Sequence, residues 1–122
     1  MRKNELKTPC FVVQERRLRE NLEILREVCQ DTGCKILLAQ KAFSMYRVYP
    51  LIGEYLNGAT ASGLYEARLG YEEMGKENHI FSPAYKETEM PEIVSLCDHI
   101  VFNSPAQFKK YKDMVKAAGK SA

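Results

Sequence analysis

The feature that most constrains the fold is the regular alternation of short apolar stretches with longer amphipathic ones. Stretches typical of strands begin near Ile36, Ala59, His79 and His99, at spacings of about 23, 20 and 20 residues. Each is followed by a stretch with helical periodicity and helix-capping residues. Because alternating strands and helices pack as parallel strands joined by right-handed crossovers, the sequence predicts an α/β fold with a parallel sheet.

The strands and helices of this alternation can be placed approximately. The apolar strands "ILLA" and "IVF" suit a sheet that is covered on both faces. Helices are predicted in "MYRVYPLIGEYLN", "GLYEARLGYEEMG", "ETEMPEIVSLC" and "SPAQFKKYKDMVKAAG". Ser62 and Ser104 are the predicted N-caps of the second and fourth of these helices. Pro50 and Pro105 fit the first turns of the first and fourth.

A separate segment precedes the alternation. Residues 8–13, "TPCFVV", predict a short strand, and "QERRLRENLEILREVCQDTG" predicts an amphipathic helix that Gly33 would end. The apolar stripe of this helix consists of Leu18, Leu22, Leu25 and Cys29. The predicted organisation is therefore an N-terminal strand and helix in residues 1–34, followed by the alternating region in residues 35–122.

The repeat length indicates a particular architecture. Units of about 20 residues fit a β/α barrel, with a doubly wound open sheet as the alternative. A closed barrel needs eight units and about 250 residues, whereas this chain of 122 residues has four. We therefore expect a partial (β/α)8 TIM barrel, about four βα units plus the N-terminal strand and helix, in the N-terminal part of a longer protein. Its two unpaired sheet edges should leave it poorly stable alone, or paired with another copy.

Composition excludes several classes of function. The chain is 45% hydrophobic and 28% charged, and its net charge of +2 is too small to argue for a nucleic acid or a membrane surface as partner. No apolar run approaches the roughly 20 residues that span a bilayer. The segment "MRKNELKTP" has no hydrophobic signal-peptide region, so we expect a cytoplasmic protein.

No metal site is predicted. Cys29 and Cys34 have four residues between them, and neither a second close pair nor a nearby histidine completes a ligand set. We expect the four cysteines to be reduced and mostly buried. His79 and His99 both open predicted strands, so they should lie at the end of the sheet opposite a barrel's active site.

Lys41 is the most informative single residue. It directly follows the apolar strand "KILLAQ", at the strand end where a barrel keeps its active site. An amine in this place could reach solvent or pair with a carboxylate, or bind phosphate as a point charge. It could also, when partly buried, lose its proton and form a covalent imine with a carbonyl. Spacing alone leaves these interpretations open.

Longer motifs carry a family resemblance. They are "AQKAFSMYRVYPLIGEYLNGATASGLYEARLG", "EMGKENHIFSPAYKE", "HIVFNSPAQF" and the N-terminal "TPCFVVQERRLRENLEIL". Together they resemble carboxynorspermidine decarboxylases, members of the alanine-racemase-like, fold-type III enzymes that use pyridoxal 5′-phosphate (PLP). The most specific pieces are "KAFS", "TASGLYEARLG" and "SPAYKE". The resemblance implies decarboxylation of carboxynorspermidine or carboxyspermidine to norspermidine or spermidine.

The resemblance also implies roles for individual residues. Lys41 would form the imine with PLP, and Glu66 matches a glutamate near the cofactor ring in related decarboxylases. Thr60 stands where ornithine decarboxylases have an aspartate, which weakens an ornithine decarboxylase interpretation. Ala39 would pack beneath the ring or serve only as a small core residue.

The remaining parts of such a site would come from outside this chain. The resemblance places the glycine-rich phosphate loop, the acidic partner of the pyridine nitrogen, the C-terminal β domain and a partner subunit of a homodimer there. We therefore expect this chain alone to be inactive. The alternatives are another fold-type III amino-acid decarboxylase or racemase, a single-domain PLP-carrier barrel, or a non-catalytic binding protein.

Overall fold

Residues 5–122 are described by the computed structural model, and they form a four-stranded parallel sheet with helices between its strands. The elements are α1 (Glu15–Thr32), β1 (Leu37–Ala39), a 3₁₀ turn (Tyr46–Val48), α2 (Tyr49–Gly53), β2 (Gly58–Ala61), α3 (Leu64–Glu73), β3 (Glu77–Ser82), α4 (Met90–Leu96), β4 (His99–Phe102) and α5 (Pro105–Ala117). The predicted alternation of four strands with four helices is confirmed. None of the helices in this part of the chain is long and apolar enough to cross a membrane.

The strands follow one another in the sheet in the order of the sequence, β1-β2-β3-β4. Neighbouring strands are parallel, and the register pairs Ala39 with Thr60 and His79 with His99. Beyond α5, Ser121 forms a parallel bridge with His99, and its carbonyl accepts a hydrogen bond from the Ile100 N–H at 2.9 Å. The chain therefore returns to the outer edge of β4 after one more helical crossover.

The N-terminal segment differs from its prediction. Residues 8–13 are not a strand, and the Phe11 side chain is 97% exposed. The apolar pattern of this segment suits a strand, but a strand also needs a neighbour to complete its backbone hydrogen bonds. None of the described strands runs beside it. The helix that follows is confirmed, and Gly33 ends it in the left-handed conformation with φ 71°.

Two helix boundaries also differ from the pattern. The helix predicted through Asn57 ends at Gly53, because the Asn57 side chain instead accepts the Ile36 N–H at 3.0 Å. The N-cap of α3 is Gly63 rather than Ser62, and it makes no side-chain cap. At α5 the prediction is correct: the Ser104 hydroxyl accepts the Gln107 N–H at 3.2 Å.

The sheet is covered on one face rather than two. Alternate strand residues, including Ala59, Ile80 and Ile100, are buried against the helices. On the opposite face Phe81 and Val101 are 43% and 51% exposed. The described residues therefore supply one helix layer, and the second face of the sheet stays open to solvent.

The cysteines are less buried than expected. Cys10 and Cys34 are exposed, Cys29 is half-buried and Cys97 is buried; none forms a disulfide within the described range. Burial raises the pKa of the Cys97 thiol to about 12, with a smaller contribution from the neighbouring Asp98 carboxylate. Cys97 is therefore an apolar core residue rather than a reactive thiol.

Two buried amides hold α3 against the sheet. Gln40, which is 1% exposed, donates its Nε2 to the Glu66 carbonyl at 2.9 Å. Asn78, also 1% exposed, donates its Nδ2 to the Ala67 carbonyl at 2.8 Å. Both amides lie against Gly70, where a Cβ would stand 2.9 Å from each of them. The missing side chain at Gly70 is what lets the helix approach so closely.

Substitution of Gly70 tests this contact. Gly70→Ala should lower the free energy of unfolding by about 1–2 kcal/mol, because crowding the two hydrogen-bonded amides outweighs the gain in helix propensity. Gly53→Ala is the matched control: its Cβ would meet the nearest atom at an ordinary 3.4 Å. Urea unfolding of both variants measures the difference, and equal stability of the two would contradict the contact.

Candidate functional site

The chain turns back immediately after β1, and this turn positions Lys41. The Gln40 N–H donates to the Thr60 carbonyl at 3.2 Å, which extends the pairing with β2 by one residue. The Phe43 N–H then donates to the Ala39 carbonyl at 3.2 Å and closes the turn. Lys41 therefore lies just beyond the carboxyl end of β1, as predicted.

A cavity of about 160 Å³ lies at the carboxyl ends of β1 and β2. Its lining residues are Ala39, Lys41, Thr60, Ala61, Ser62 and Phe81. Three of the four predicted site residues, Lys41, Ala39 and Thr60, therefore come together. Ala39 and Thr60 are direct partners in the strand register, so both present their side chains to the same face of the sheet.

Glu66 is placed differently from the other three. It does not line the cavity, and its carboxylate accepts the Ser62 N–H at 2.6 Å. This hydrogen bond fixes the loop that leads from β2 into α3, and Ser62 in that loop does line the cavity. Within this chain Glu66 thus shapes one wall of the cavity, and its contact with a cofactor ring stays a prediction.

Lys41 itself is exposed, and within residues 5–122 its amine makes no hydrogen bond or ion pair. The pairing with a carboxylate that the sequence left open is therefore not found in this part of the chain. A reactive lysine is also expected to be partly buried. The described residues do not bury Lys41, because its side chain lies at the open face of the sheet, in solvent. The amine remains accessible to a ligand in the cavity.

Gln40, directly before Lys41, was not predicted as a residue that supports the candidate site. Its Oε1 accepts the Tyr49 hydroxyl at 3.4 Å, while its Nε2 holds the Glu66 carbonyl. Burial, and next the Glu66 carboxylate, raise the pKa of Tyr49, so its hydroxyl stays protonated as a donor. The available signal was a lone amide inside the apolar strand, directly before Lys41.

Other residues at the same end of the sheet have structural partners. The Tyr85 hydroxyl donates to the Val101 carbonyl at 2.8 Å and accepts the Ser82 N–H at 3.1 Å, so it joins the ends of β3 and β4. A larger cavity of about 500 Å³ lies beyond β4. Its lining residues are Val101, Phe102, Asn103, Ser104, Pro105, Phe108 and Ala122, with no ionisable side chain among them.

At the opposite end of the sheet, the two histidines meet a glutamate. Glu77 and His79 lie on one face of β3, and His99 opens β4 beside His79. The two imidazole centroids are 4.2 Å apart. The ammonium of Lys35, and next His79, hold the pKa of the Glu77 carboxyl below its usual range. The histidines lie away from Lys41, as predicted, but the cluster with Glu77 was not foreseen.

Comparison with solved structures connects this site with a class of enzyme. The fold matches a crystal structure of carboxynorspermidine decarboxylase complexed with norspermidine from Campylobacter jejuni, with a TM-score of 0.89 and 47% identity. The match covers 91% of this chain and 30% of that one. The four-stranded parallel sheet is therefore like a fragment of a decarboxylase.

Three curated decarboxylases are similar to this chain. A carboxynorspermidine/carboxyspermidine decarboxylase of Campylobacter jejuni is 48% identical over 108 residues, 88% of this chain and 28% of the relative. One of Herminiimonas arsenicoxydans is 38% identical over 106 residues, 87% of this chain and 29% of the relative. A carboxyaminopropylagmatine decarboxylase of Synechocystis is 40% identical over 115 residues, covering 94% and 30%.

These comparisons confirm the resemblance that the motifs indicated, to carboxynorspermidine and carboxyspermidine decarboxylases. The chain spans about 30% of the length of the curated relatives it matches. No family model matches it.

The loop contact of Glu66 can be tested by hydrogen exchange. Glu66→Ala removes the acceptor of the Ser62 N–H, so this amide should exchange at least about tenfold faster, and the free energy of unfolding should fall by about 1 kcal/mol. Glu72→Ala, an exposed change on the same helix, should leave Ser62 exchange unaltered. NMR measurement of the Ser62 amide decides, and an unchanged rate in Glu66→Ala would refute the contact.

Proposed function

We propose that the protein containing this chain is a PLP-dependent decarboxylase of polyamine biosynthesis. It would convert carboxynorspermidine or carboxyspermidine to norspermidine or spermidine with release of carbon dioxide. This chain would contribute the cofactor lysine, Lys41. The observation that carries the proposal is the 48% identity to the Campylobacter decarboxylase over 88% of the chain. It is supported by Lys41, which lines a cavity at the end of a strand and has no partner among residues 5–122.

We further propose that residues 35–122 are the first half of a β/α barrel and that residues 1–34 precede it. The strand order β1-β2-β3-β4 supports this, because it runs in one direction without reversal. A doubly wound sheet reverses its strand order at a switch point. The uncovered face with Phe81 and Val101 would then be the interior of the barrel, filled by side chains from later strands.

The residues around Lys41 suit PLP as far as they extend. One cavity is bordered by the Lys41 amine, which is unpaired in the described part of the chain, and by Ala39, the Thr60 hydroxyl and the Phe81 ring. When bound, PLP supplies an electrophilic carbonyl and a conjugated ring that accepts the electron pair left by departing carbon dioxide. The cavity measures about 160 Å³. Ligand-binding cavities usually measure roughly 300 Å³ or more, so this cavity is only part of such a site. The rest of the site would come from beyond this chain.

Each residue would then have a separate task. The Lys41 Nζ would be the nucleophile that holds the cofactor until the substrate amine replaces it. Gln40, buried directly before Lys41, keeps the turn in place through its bond to α3. Thr60 presents a neutral hydroxyl, so it cannot balance a second positive charge on a substrate as a carboxylate would. Phe81 would exclude water from one side of the cavity.

The names of the relatives favour a carboxylated polyamine as substrate. Carboxyaminopropylagmatine is a second candidate, since the Synechocystis relative is 40% identical over 94% of the chain. We place carboxynorspermidine and carboxyspermidine first because of the 48% identity to the Campylobacter relative. A homodimer and a cytoplasmic location belong to this proposal through the resemblance alone.

Substitution of Lys41 tests the proposal in the whole protein. Lys41→Ala should reduce carbon dioxide release from carboxynorspermidine by about 10³-fold or more, because no other described residue supplies an amine to this cavity. Lys109→Ala, an exposed change on α5, should leave the rate unaltered. Release of labelled carbon dioxide measures both variants.

Two outcomes would contradict the proposal: full activity in Lys41→Ala, or no decarboxylation of any of the three carboxylated amines by the whole protein with PLP. The 122-residue chain alone is expected to release no carbon dioxide. Among the described residues that line its cavity, none carries a carboxylate that could pair with the pyridine nitrogen.

A further inference from the structure

The cluster at the amino-terminal end of the sheet is built by backbone register. His79 and His99 are direct partners on the neighbouring parallel strands β3 and β4. Glu77 lies two residues before His79, so its side chain points to the same face of the sheet. Strand pairing therefore brings two imidazoles and one carboxylate together, without a flexible loop between them.

The three groups have the spacing of metal ligands. The Glu77 Oε2 lies 3.1 Å from the His79 Nε2 and 3.9 Å from the His99 Nε2. One ligand atom from each residue lies within 4.8 Å of the others. Tetrahedral zinc with bonds of about 2.0–2.2 Å places its ligand atoms roughly 3.3–3.6 Å apart. Small side-chain rotations would bring the three atoms onto one ion.

A lysine orients the carboxylate. The Lys35 ammonium pairs with Oε1 of Glu77, which leaves Oε2 directed at the histidines. Outer partners of this kind fix the orientation of metal-binding carboxylates. The side chains of Glu77, His79 and His99 are 30%, 22% and 40% exposed and lie at the starts of β3 and β4, so an ion can reach them at the amino-terminal end of the sheet.

We propose that Glu77, His79 and His99 form a zinc-binding site with the fourth position taken by water. Two histidines and a glutamate are a donor set that zinc accepts, and the three come from adjacent strands that are already paired. The ion would join β3 to β4 at the end of the sheet opposite Lys41. The site is therefore separate from the proposed cofactor cavity and independent of decarboxylation.

The histidine NMR signals of the unaltered chain provide the first test. The sequence contains two histidines, so the spectrum should show two imidazole Cε1–H signals, and both belong to the proposed site. Addition of zinc chloride should shift both signals, with saturation at one equivalent of zinc per chain. Signals that do not move at a tenfold excess, or a shift of one signal alone, would overturn the proposal.

Variants then test the ligand set by calorimetric titration with zinc. His99→Ala and Glu77→Gln should each bind zinc about tenfold more weakly or worse. Glu72→Gln and Cys34→Ser, which change exposed residues outside the cluster, should bind it as the unaltered chain does. Unchanged affinity in His99→Ala would overturn the site, and the NMR titration stands even where a variant fails to fold.

Cobalt distinguishes the cluster from the exposed thiols of Cys10 and Cys34. Co²⁺ bound by two histidines and a carboxylate gives weak visible bands without the intense thiolate charge-transfer band near the ultraviolet. The proposal predicts this weak spectrum at one equivalent, and its loss in His99→Ala. An intense thiolate band that survives in His99→Ala and disappears in Cys34→Ser would show that the cysteines are the ligands instead.

Discussion

The arrangement of this chain depends on two buried amides that bind one helix. Gln40 at the end of β1 and Asn78 in β3 donate to adjacent carbonyls of α3, those of Glu66 and Ala67. An unpaired amide in the same place would cost about 1–3 kcal/mol, so these hydrogen bonds fix the helix position over the strands. Gly70 lets the backbone come close enough for both bonds to form.

The same contact also positions the residues at the carboxyl end of β1 and β2, around the proposed cofactor cavity. Because Gln40 is buried in the core, the next residue, Lys41, lies in the tight turn directly after the strand. Glu66 lies in the first turn of α3, and its carboxylate accepts a hydrogen bond from the Ser62 N–H. This hydrogen bond fixes the loop on the other side of the cavity. One wall of the proposed cofactor cavity is thus held in place, while the Lys41 amine is exposed to solvent.

The sequence predicted the four strands of the sheet and the position of Lys41 correctly. Other features were predicted wrongly, or were not predicted, for reasons that can be identified. Spacing located all four strands and placed Lys41 at a strand end, because apolar periodicity and proline and glycine positions are local signals. The strand predicted at residues 8–13 failed because strand formation depends on a partner elsewhere in space. The Gln40 contact and the cluster of Glu77 with the histidines could not be read from the sequence, since both depend on strand register and helix docking.

We expect Lys41 to bond covalently to PLP in the whole protein. Borohydride reduction of that protein in the presence of PLP, followed by peptide mass mapping, tests it directly, because reduction converts an imine to a stable amine at the lysine that carried it. The peptide containing Lys41 should gain the mass of one reduced pyridoxyl phosphate group. An adduct confined to another lysine, or no adduct in a protein that decarboxylates its substrate, would contradict it.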